Sequence, residues 1–124
     1  MRKMIIVKNV LLGLMLFSMT TLVLASEQTD PTELIAKGKA LYLNKKKGNC
    51  VACHMSSDPD AKLAGLQGPP LMAMQARYPD TKKLRAQIWD ATVFNPMTIM
   101  PPYGRHWVLS EEEIDAIVAY VHQL

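Results

Sequence analysis

Two cysteines and a histidine stand close together in the segment CVACH, at residues 50–54. Two thiols separated by two residues can each add to one vinyl group of a haem. The histidine that follows the second cysteine then lies beneath the iron as an axial ligand. We therefore predict that Cys50 and Cys53 attach one haem c covalently and that His54 is the proximal iron ligand.

A zinc site and a thioredoxin-like redox pair are the alternatives for a C-x-x-C segment. Structural zinc needs four ligands, commonly from two spaced clusters, and only His106 and His122 could complete such a set, at a spacing unlike a zinc finger. A redox pair is usually found in a βαβ setting, which the sequence does not indicate. Because the chain has only 2 cysteines, haem attachment would leave no free thiol for nucleophilic catalysis.

The other face of the iron needs a second axial ligand, and a methionine thioether raises the reduction potential relative to a second histidine. Met100 is the best placed, because the fixed φ of the Pro-Pro that follows would hold its approach. Met97 is the second choice, followed by His106 or His122. Three further methionines are expected to lie beside the proximal histidine or in the core: Met55, Met72 and Met74.

Residues 56–70, SSDPDAKLAGLQGPP, have no sustained period and are predicted to form a loop after the motif. Loops of this length are usually functional or disordered. A backbone carbonyl near Gly68-Pro69 could accept the Nδ1 proton of His54 and fix the orientation of its ring. Gly-Pro-Pro is also consistent with a simple turn.

The first 25 residues have the composition of a cleaved secretory signal. Basic residues precede an apolar stretch at residues 10–24, and Val23 and Ala25 fit a cleavage site. An uncleaved membrane anchor is the alternative, but hydroxyl residues interrupt the stretch, which is short for a span. We therefore predict a signal peptide at residues 1–25 and a periplasmic domain at residues 26–124, without a membrane segment after cleavage.

The mature chain carries no net charge to attract a nucleic acid. The 14 Lys and Arg residues fall to 11 without Arg2, Lys3 and Lys8, which equals the 11 Asp and Glu residues. The net charge of +3 therefore belongs to the signal, and no nucleic-acid partner is indicated. Residues 45–47 form a lysine cluster beside the motif, which we interpret as a solvated helix end, with a docking patch as the alternative.

Helix signals predict an all-α domain of about four helices with long loops. The first helix is predicted to begin at Asp30, with Pro31 and Glu33 in its first turn, and to end within residues 45–49. Gly38 lies on its apolar face, where a glycine favours the close approach of another helix.

Three further helices are predicted beyond the loop. The second covers about residues 71–76 and the third about residues 81–94, with Asp80 as its N-cap. Residues 96–107 are irregular, because they contain three prolines and a glycine. The last helix begins at Ser110 with a capping box, and its apolar residues recur at helical spacing.

Four segments together resemble the SoxX family, the monohaem subunits of sulfur-oxidising SoxAX cytochromes: KGNCVACH, GPPLMAMQARYPD, LRAQIWDATVFNP and TIMPPYGRHWVLSEEEIDAIVAY. The resemblance covers nearly all of residues 47–124. It implies a class I cytochrome c fold and a His/Met-ligated iron, with Met100 as the methionine by its position before Pro-Pro-Tyr-Gly. No structural disulfide is carried over, because this chain has no cysteine outside the motif.

The resemblance also implies a function in thiosulfate oxidation. The chain would form a heterodimer with a SoxA-like cytochrome, where thiosulfate is joined oxidatively to a cysteine of a SoxYZ-like carrier protein. It would be the non-catalytic subunit of this L-cysteine S-thiosulfotransferase, accepting electrons and passing them to a small cytochrome c. The alternative is a free-standing soluble electron shuttle. A subunit is expected to bury an apolar patch, for which Tyr103 and Trp107 are candidates unless they pack in the haem pocket.

Overall fold

The computed structural model describes residues 30–124; the predicted signal peptide and residues 26–29 lie outside them. Four α-helices form: α1 (Pro31–Leu43), α2 (Met74–Arg77), α3 (Thr81–Trp89) and α4 (Glu111–Val121). Short 3-10 turns occur at Cys50–Ala52 and Ala91–Val93. Within residues 30–124 no β-strand forms, and no helix there is long and apolar enough to cross a membrane. The prediction of an all-α domain with about four helices and long loops is confirmed.

Side-chain caps fix where the helices begin, as the sequence indicates. The Asp30 carboxylate accepts a hydrogen bond from the Thr32 amide at 2.8 Å. Asp80 accepts from the Lys82 amide at 2.9 Å in the same way. Ser110 begins α4 with the predicted capping box, in which Ser110 and Glu113 each bond to the other's backbone amide.

The predicted helices are longer than the observed ones. α1 ends at Leu43 rather than within residues 45–49. α2 is a single turn that begins only at Met74, because Leu71 donates its amide to the Met55 carbonyl at 2.7 Å and stays outside the helix. α3 ends at Trp89, because Asp90 is extended (φ −153°) and caps the next turn instead.

The core is built where α1 crosses α4, the most extensive helix–helix contact among the described residues. A Cβ on Gly38 would overlap the Ala116 carbonyl of α4, so glycine is required for the two backbones to approach this closely. The prediction for Gly38 is thus confirmed. The largest fully buried side chains are Tyr42, Met74, Leu109, Ile114 and Ile117.

Two long loops extend from this helical frame. We call residues 55–72 the histidine-side loop, because it follows His54, and residues 94–109 the methionine-side loop, because it contains Met100. Both border a single large cavity, to which α2, α3 and α4 also contribute side chains.

Candidate haem site

A cavity of about 510 Å³ opens beside the CVACH motif. Cys50, Cys53 and His54 all line it, and Met100 contributes to the wall formed by the methionine-side loop. The rest of the surface is mainly apolar, supplied by Leu71, Met74, Leu84, Ile88, Leu109, Ile117 and Val121. The structure therefore brings the predicted attachment residues and the predicted axial ligands to one cavity.

His54 has a defined ring orientation. Its Nδ1 lies 2.7 Å from the Pro69 carbonyl oxygen, and because a carbonyl can only accept, Nδ1 carries the proton. In the neutral imidazole this leaves the Nε2 lone pair to ligate a metal. A Cβ on Gly68 would overlap the imidazole, so the glycine lets the backbone lie against the ring. The predicted carbonyl contact near Gly68-Pro69 is confirmed.

The motif is folded into a tight turn that presents its three side chains. Asn49 has a positive φ of 47° and turns the chain into the 3-10 segment, and the His54 amide donates to the Cys50 carbonyl at 2.9 Å. Tyr42 on α1 donates to the His54 carbonyl at 3.2 Å. These bonds fix the backbone of His54 relative to α1, and the bond to Pro69 fixes its ring.

The histidine-side loop folds back along the motif. The amides of Gly65 and Gly68 donate to the motif carbonyls of Val51 and Cys53 at 3.0 and 2.9 Å. The Leu71 amide donates at 2.7 Å to the carbonyl of Met55, the first residue of the loop. The loop is therefore ordered, and it delivers the Pro69 carbonyl to His54 through backbone bonds.

A buried carboxylate anchors this loop to the helices. The Asp58 side chain accepts from the Tyr120 hydroxyl of α4 and pairs with Lys39 of α1 at 3.0 Å, while Lys39 also pairs with Asp60 at 2.7 Å. Burial opposes ionisation of Asp58, but the hydrogen bonds from Tyr120, the Asp60 amide and Lys39 outweigh it and lower its pKa. Sequence reasoning missed Asp58, because its partners lie far along the chain.

Met100 lies half-buried against the core in the methionine-side loop. Met97 also borders the cavity, but its side chain is 87% exposed. Met74 lines the cavity from α2 and is fully buried in the core, as predicted. Met55 and Met72 lie outside the lining and are each 41% exposed, so the predicted core position of Met72 is wrong.

The two histidines considered as lower-ranked ligands lie away from the cavity. His106 is exposed in the methionine-side loop and is not among the lining residues. His122 ends α4, where its Nε2 lies 3.0 Å from the Tyr78 carbonyl, and it also lies outside the lining. Of the predicted candidates for the sixth position, Met100 and Met97 are thus the two that border the cavity.

The two aromatic side chains considered for a partner surface are placed differently. Tyr103 lines the cavity and donates its hydroxyl to the Gly48 carbonyl at 2.9 Å; burial raises its pKa to about 12. Trp107 is 80% exposed and lies outside the cavity lining. Tyr103 is therefore part of the pocket, and Trp107 is part of the surface.

The cavity suits a large apolar cofactor with a charged edge. Its walls are mainly aliphatic, and Arg77 is the only Asp, Glu, Lys or Arg among the residues that line it in the described chain. Arg77 donates to the Pro70 carbonyl at 2.6 Å, and from the cavity lining its guanidinium could pair with a carboxylate of a bound haem. The residues present thus fit a haem: two thiols, an imidazole with a free Nε2, a thioether, aliphatic walls and one cation.

The lysine cluster at residues 45–47 divides into two parts. Lys47 forms an ion pair with Glu113 of α4 at 2.6 Å. Lys45 and Lys46 are exposed just after the end of α1. These positions agree with the first of the two interpretations, a solvated helix end.

Comparison with known proteins agrees with this geometry. A model of the cytochrome c family matches residues 35–124. An uncharacterised lipoprotein of Aquifex aeolicus (strain VF5) is 40% identical over 87 residues, a match that covers 68% of this chain and 42% of that protein. The chain thus spans less than half the length of this relative. The match to the family model includes the motif, both loops and all of α2, α3 and α4. The chain therefore belongs to the cytochrome c family, whose members transfer electrons through a covalently attached haem c.

Proposed function

We propose that this protein is the electron-accepting haem subunit of a periplasmic thiosulfate-oxidising complex of the SoxAX type. In this proposal Cys50 and Cys53 hold the haem through thioether bonds, and His54 and Met100 are the axial ligands of its iron. The haem supplies one-electron redox chemistry. The catalytic site belongs to a SoxA-like partner, and this chain conducts electrons.

The axial pair follows from how the two side chains are presented. The proton on His54 Nδ1 is committed to the Pro69 carbonyl, so Nε2 is left to ligate and the bond to Pro69 raises its basicity. Met100 is half-buried and packs against the core, whereas Met97 is largely exposed. A thioether opposite an imidazole favours the reduced state, which suits an acceptor of electrons.

With both axial positions taken by side chains, the iron would have no open position for a substrate. Aliphatic side chains from α3 and α4 line the cavity, and Tyr103 donates a hydrogen bond to Gly48, two residues before the motif. Both cysteines are consumed by attachment. The chain's own residues therefore bind and orient a cofactor, without a nucleophile or acid–base pair beside it.

One observation carries the sulfur-oxidation proposal: all four segments that resemble SoxX line or support this cavity. They supply the attachment motif, the Pro69 carbonyl with Arg77 and Tyr78, the side chains of α3, and Met100 with Tyr103. In the proposed reaction a new sulfur–sulfur bond joins thiosulfate to a carrier cysteine thiolate. The electron pair released leaves through the haems in single steps.

The proposal is tested by isolating the protein with its partners. The tagged protein is purified from the periplasm of thiosulfate-grown cells, and whatever co-purifies is identified by haem staining and mass spectrometry. A stoichiometric second cytochrome supports the subunit assignment. The haem of this chain should then be reduced by thiosulfate and the carrier protein only when that second cytochrome is present.

A free-standing electron shuttle is the other outcome of this experiment. The exposed Lys45 and Lys46 next to the motif are the observation in its favour, because a charged rim accelerates encounters with several partners. A shuttle would be purified as a lone small haem protein. Thiosulfate and the carrier protein would not reduce it, either separately or together.

A further inference from the structure

The methionine-side loop is closed at its base by the end of α3. On the arm that enters the loop, the Asn95 amide donates to the Ala91 carbonyl at 3.0 Å. On the arm that leaves it, the amides of Gly104 and Arg105 donate to the Trp89 carbonyl at 3.0 and 3.4 Å. The two acceptors are residues 89 and 91, so both arms meet around residue 90.

The carboxylate of Asp90 joins these two arms. One oxygen accepts from the Thr92 amide at 3.0 Å and from the Thr92 hydroxyl at 2.5 Å. The other oxygen pairs with Arg105 at 3.1 Å, and the Asp90 side chain is only 7% exposed. Thr92 belongs to the turn that leads into the loop and Arg105 to the arm that leaves it. A single buried carboxylate thus bonds to both arms.

Between these arms Met100 packs against the core but has few hydrogen bonds to hold it. Its amide donates to the Thr98 hydroxyl at 3.2 Å, a bond within the loop itself. Within the central segment 96–103, Tyr103 alone forms a hydrogen bond to the chain beside the motif, at Gly48. The position of Met100 therefore depends strongly on how the base of the loop is closed.

We propose that Asp90 is a positioning residue for Met100, which holds the thioether in the cavity wall by fastening the two arms of the methionine-side loop. The proposal rests on the proposed ligation by His54 and Met100. It goes beyond that ligation, because Asp90 does not line the cavity and acts on the iron site only through the loop.

The test uses the holoprotein and four variants. Asp90→Asn keeps an oxygen for the Thr92 bonds and loses the ion pair, while Asp90→Ala loses both. Arg105→Ala removes the other partner of the ion pair. The Arg105 side chain is 53% exposed, so this variant should fold even if Asp90→Ala does not. Lys39→Ala is the matched control, because Lys39 pairs with the buried Asp58 carboxylate as Arg105 pairs with Asp90, and it bonds to no residue of the methionine-side loop.

Two measurements separate positioning from a general loss of stability. One is the thioether–iron charge-transfer band of the oxidised protein in urea, recorded beside the loss of helix by circular dichroism. The other is hydrogen exchange at the Gly104 and Arg105 amides. Loss of a charged hydrogen bond should speed this exchange about tenfold or more, while the amides of Gly65 and Gly68 exchange as before.

The expected result is that the Asp90 and Arg105 variants lose the thioether band at lower urea than the wild type, well before helix is lost. Lys39→Ala should lose band and helix together. The inference is overturned if the Asp90 and Arg105 variants keep the wild-type band and exchange rates, or if Lys39→Ala behaves as they do. A wild-type protein without the band would overturn the ligation by Met100 and this inference with it, so the two failures are distinguishable.

Discussion

The histidine-side loop and the methionine-side loop border the same cavity but are held in different ways. The first is bonded to the motif through the amides of Gly65 and Gly68, and the bond from Leu71 to Met55 closes it on itself. The second is bonded at its base, around Asp90, and through the Tyr103 hydroxyl. One side is therefore bonded directly to the motif, whereas the other is joined to the end of α3 and reaches the motif only through the neighbouring Gly48.

This difference follows from distance along the chain. His54 directly follows the cysteines, so attachment of a haem there would already place it, and the loop would have only to orient its ring. Met100 is distant from the motif in sequence, and nothing local brings it to the cavity. Local opening takes place where few bonds cross between elements, so we expect the methionine side to open first. The predictions below test this expectation.

Replacement of Met100 by alanine should have the largest effect on the site. Loss of the thioether should lower the reduction potential by a sizeable part of the roughly 0.8 V range that axial ligands cover and should open the iron to added ligands. Potentiometry and binding of imidazole measure both changes. Met97→Ala is the control, because Met97 borders the same cavity but is largely exposed. A greater fall in potential in Met97→Ala than in Met100→Ala would identify Met97 as the ligand instead.

Replacement of Gly68 by alanine should have the largest effect on the histidine side. The new methyl group would overlap the His54 ring, and such overpacking against a fixed neighbour costs about 3 kcal/mol. Urea unfolding of the holoprotein measures the loss. Lys62→Ala, at an exposed position of the same loop, should change the free energy of unfolding by less than about 0.5 kcal/mol. Equal losses in the two variants would contradict the close contact.

Replacement of Asp58 by alanine should destabilise the fold without changing the axial ligands. It removes the acceptor of the Tyr120 hydroxyl and one partner of Lys39, and an unpaired buried donor costs about 1–3 kcal/mol. Circular dichroism in urea measures this cost. The thioether band should persist until the fold unfolds. Early loss of the band would mean that the two sides are coupled.

Asp58 should also influence how the free energy of unfolding depends on pH at the acid end. Its pKa is lowered in the folded protein by Tyr120, Asp60 and Lys39, so its ionised form adds stability above its unfolded pKa of about 4. That contribution is lost as the pH falls through the lower folded pKa. The wild-type free energy of unfolding should therefore fall below about pH 4, and Asp58→Asn should flatten this decline. An unchanged decline in the variant would assign it to other carboxylates.

The smallest expected effect concerns backbone strain in the histidine-side loop. Leu63 has a φ of 57° and a fully exposed side chain, so the leucine is strained and buries nothing. Leu63→Gly should raise the free energy of unfolding by about 0.5–1 kcal/mol. Leu66→Gly, an exposed leucine without a positive φ, should lower it instead. Stabilisation by both variants would point to surface polarity rather than strain.

Local signals allowed much of the fold to be predicted. The caps at Asp30, Asp80 and Ser110 and the close approach at Gly38 depend on residues near in sequence or on glycine itself, and the structure shows all of them. The bond from His54 to Pro69 was predicted because a ligating imidazole needs an acceptor for its other nitrogen. These features follow from chemistry that a sequence displays directly.

Features that depend on distant partners were not predicted. The third helix was expected to continue beyond residue 89, but the Asp90 side chain caps the following turn and pairs with Arg105. Leu71 was placed in a helix, but it bonds to Met55 instead. Nothing near Asp58 in sequence indicates that its carboxylate bonds to Tyr120 and Lys39. In each case a tertiary contact overrides the local preference.

The crossing of α1 and α4 makes closure of the cavity depend on both ends of the domain. Gly38 packs against Ala116, and the cavity is walled by Ile117 and Val121 from the same last helix. Because α4 follows the CVACH segment and both loops in sequence, synthesis of the chain adds these walls last. The cavity therefore cannot close around a cofactor before α4 has been made.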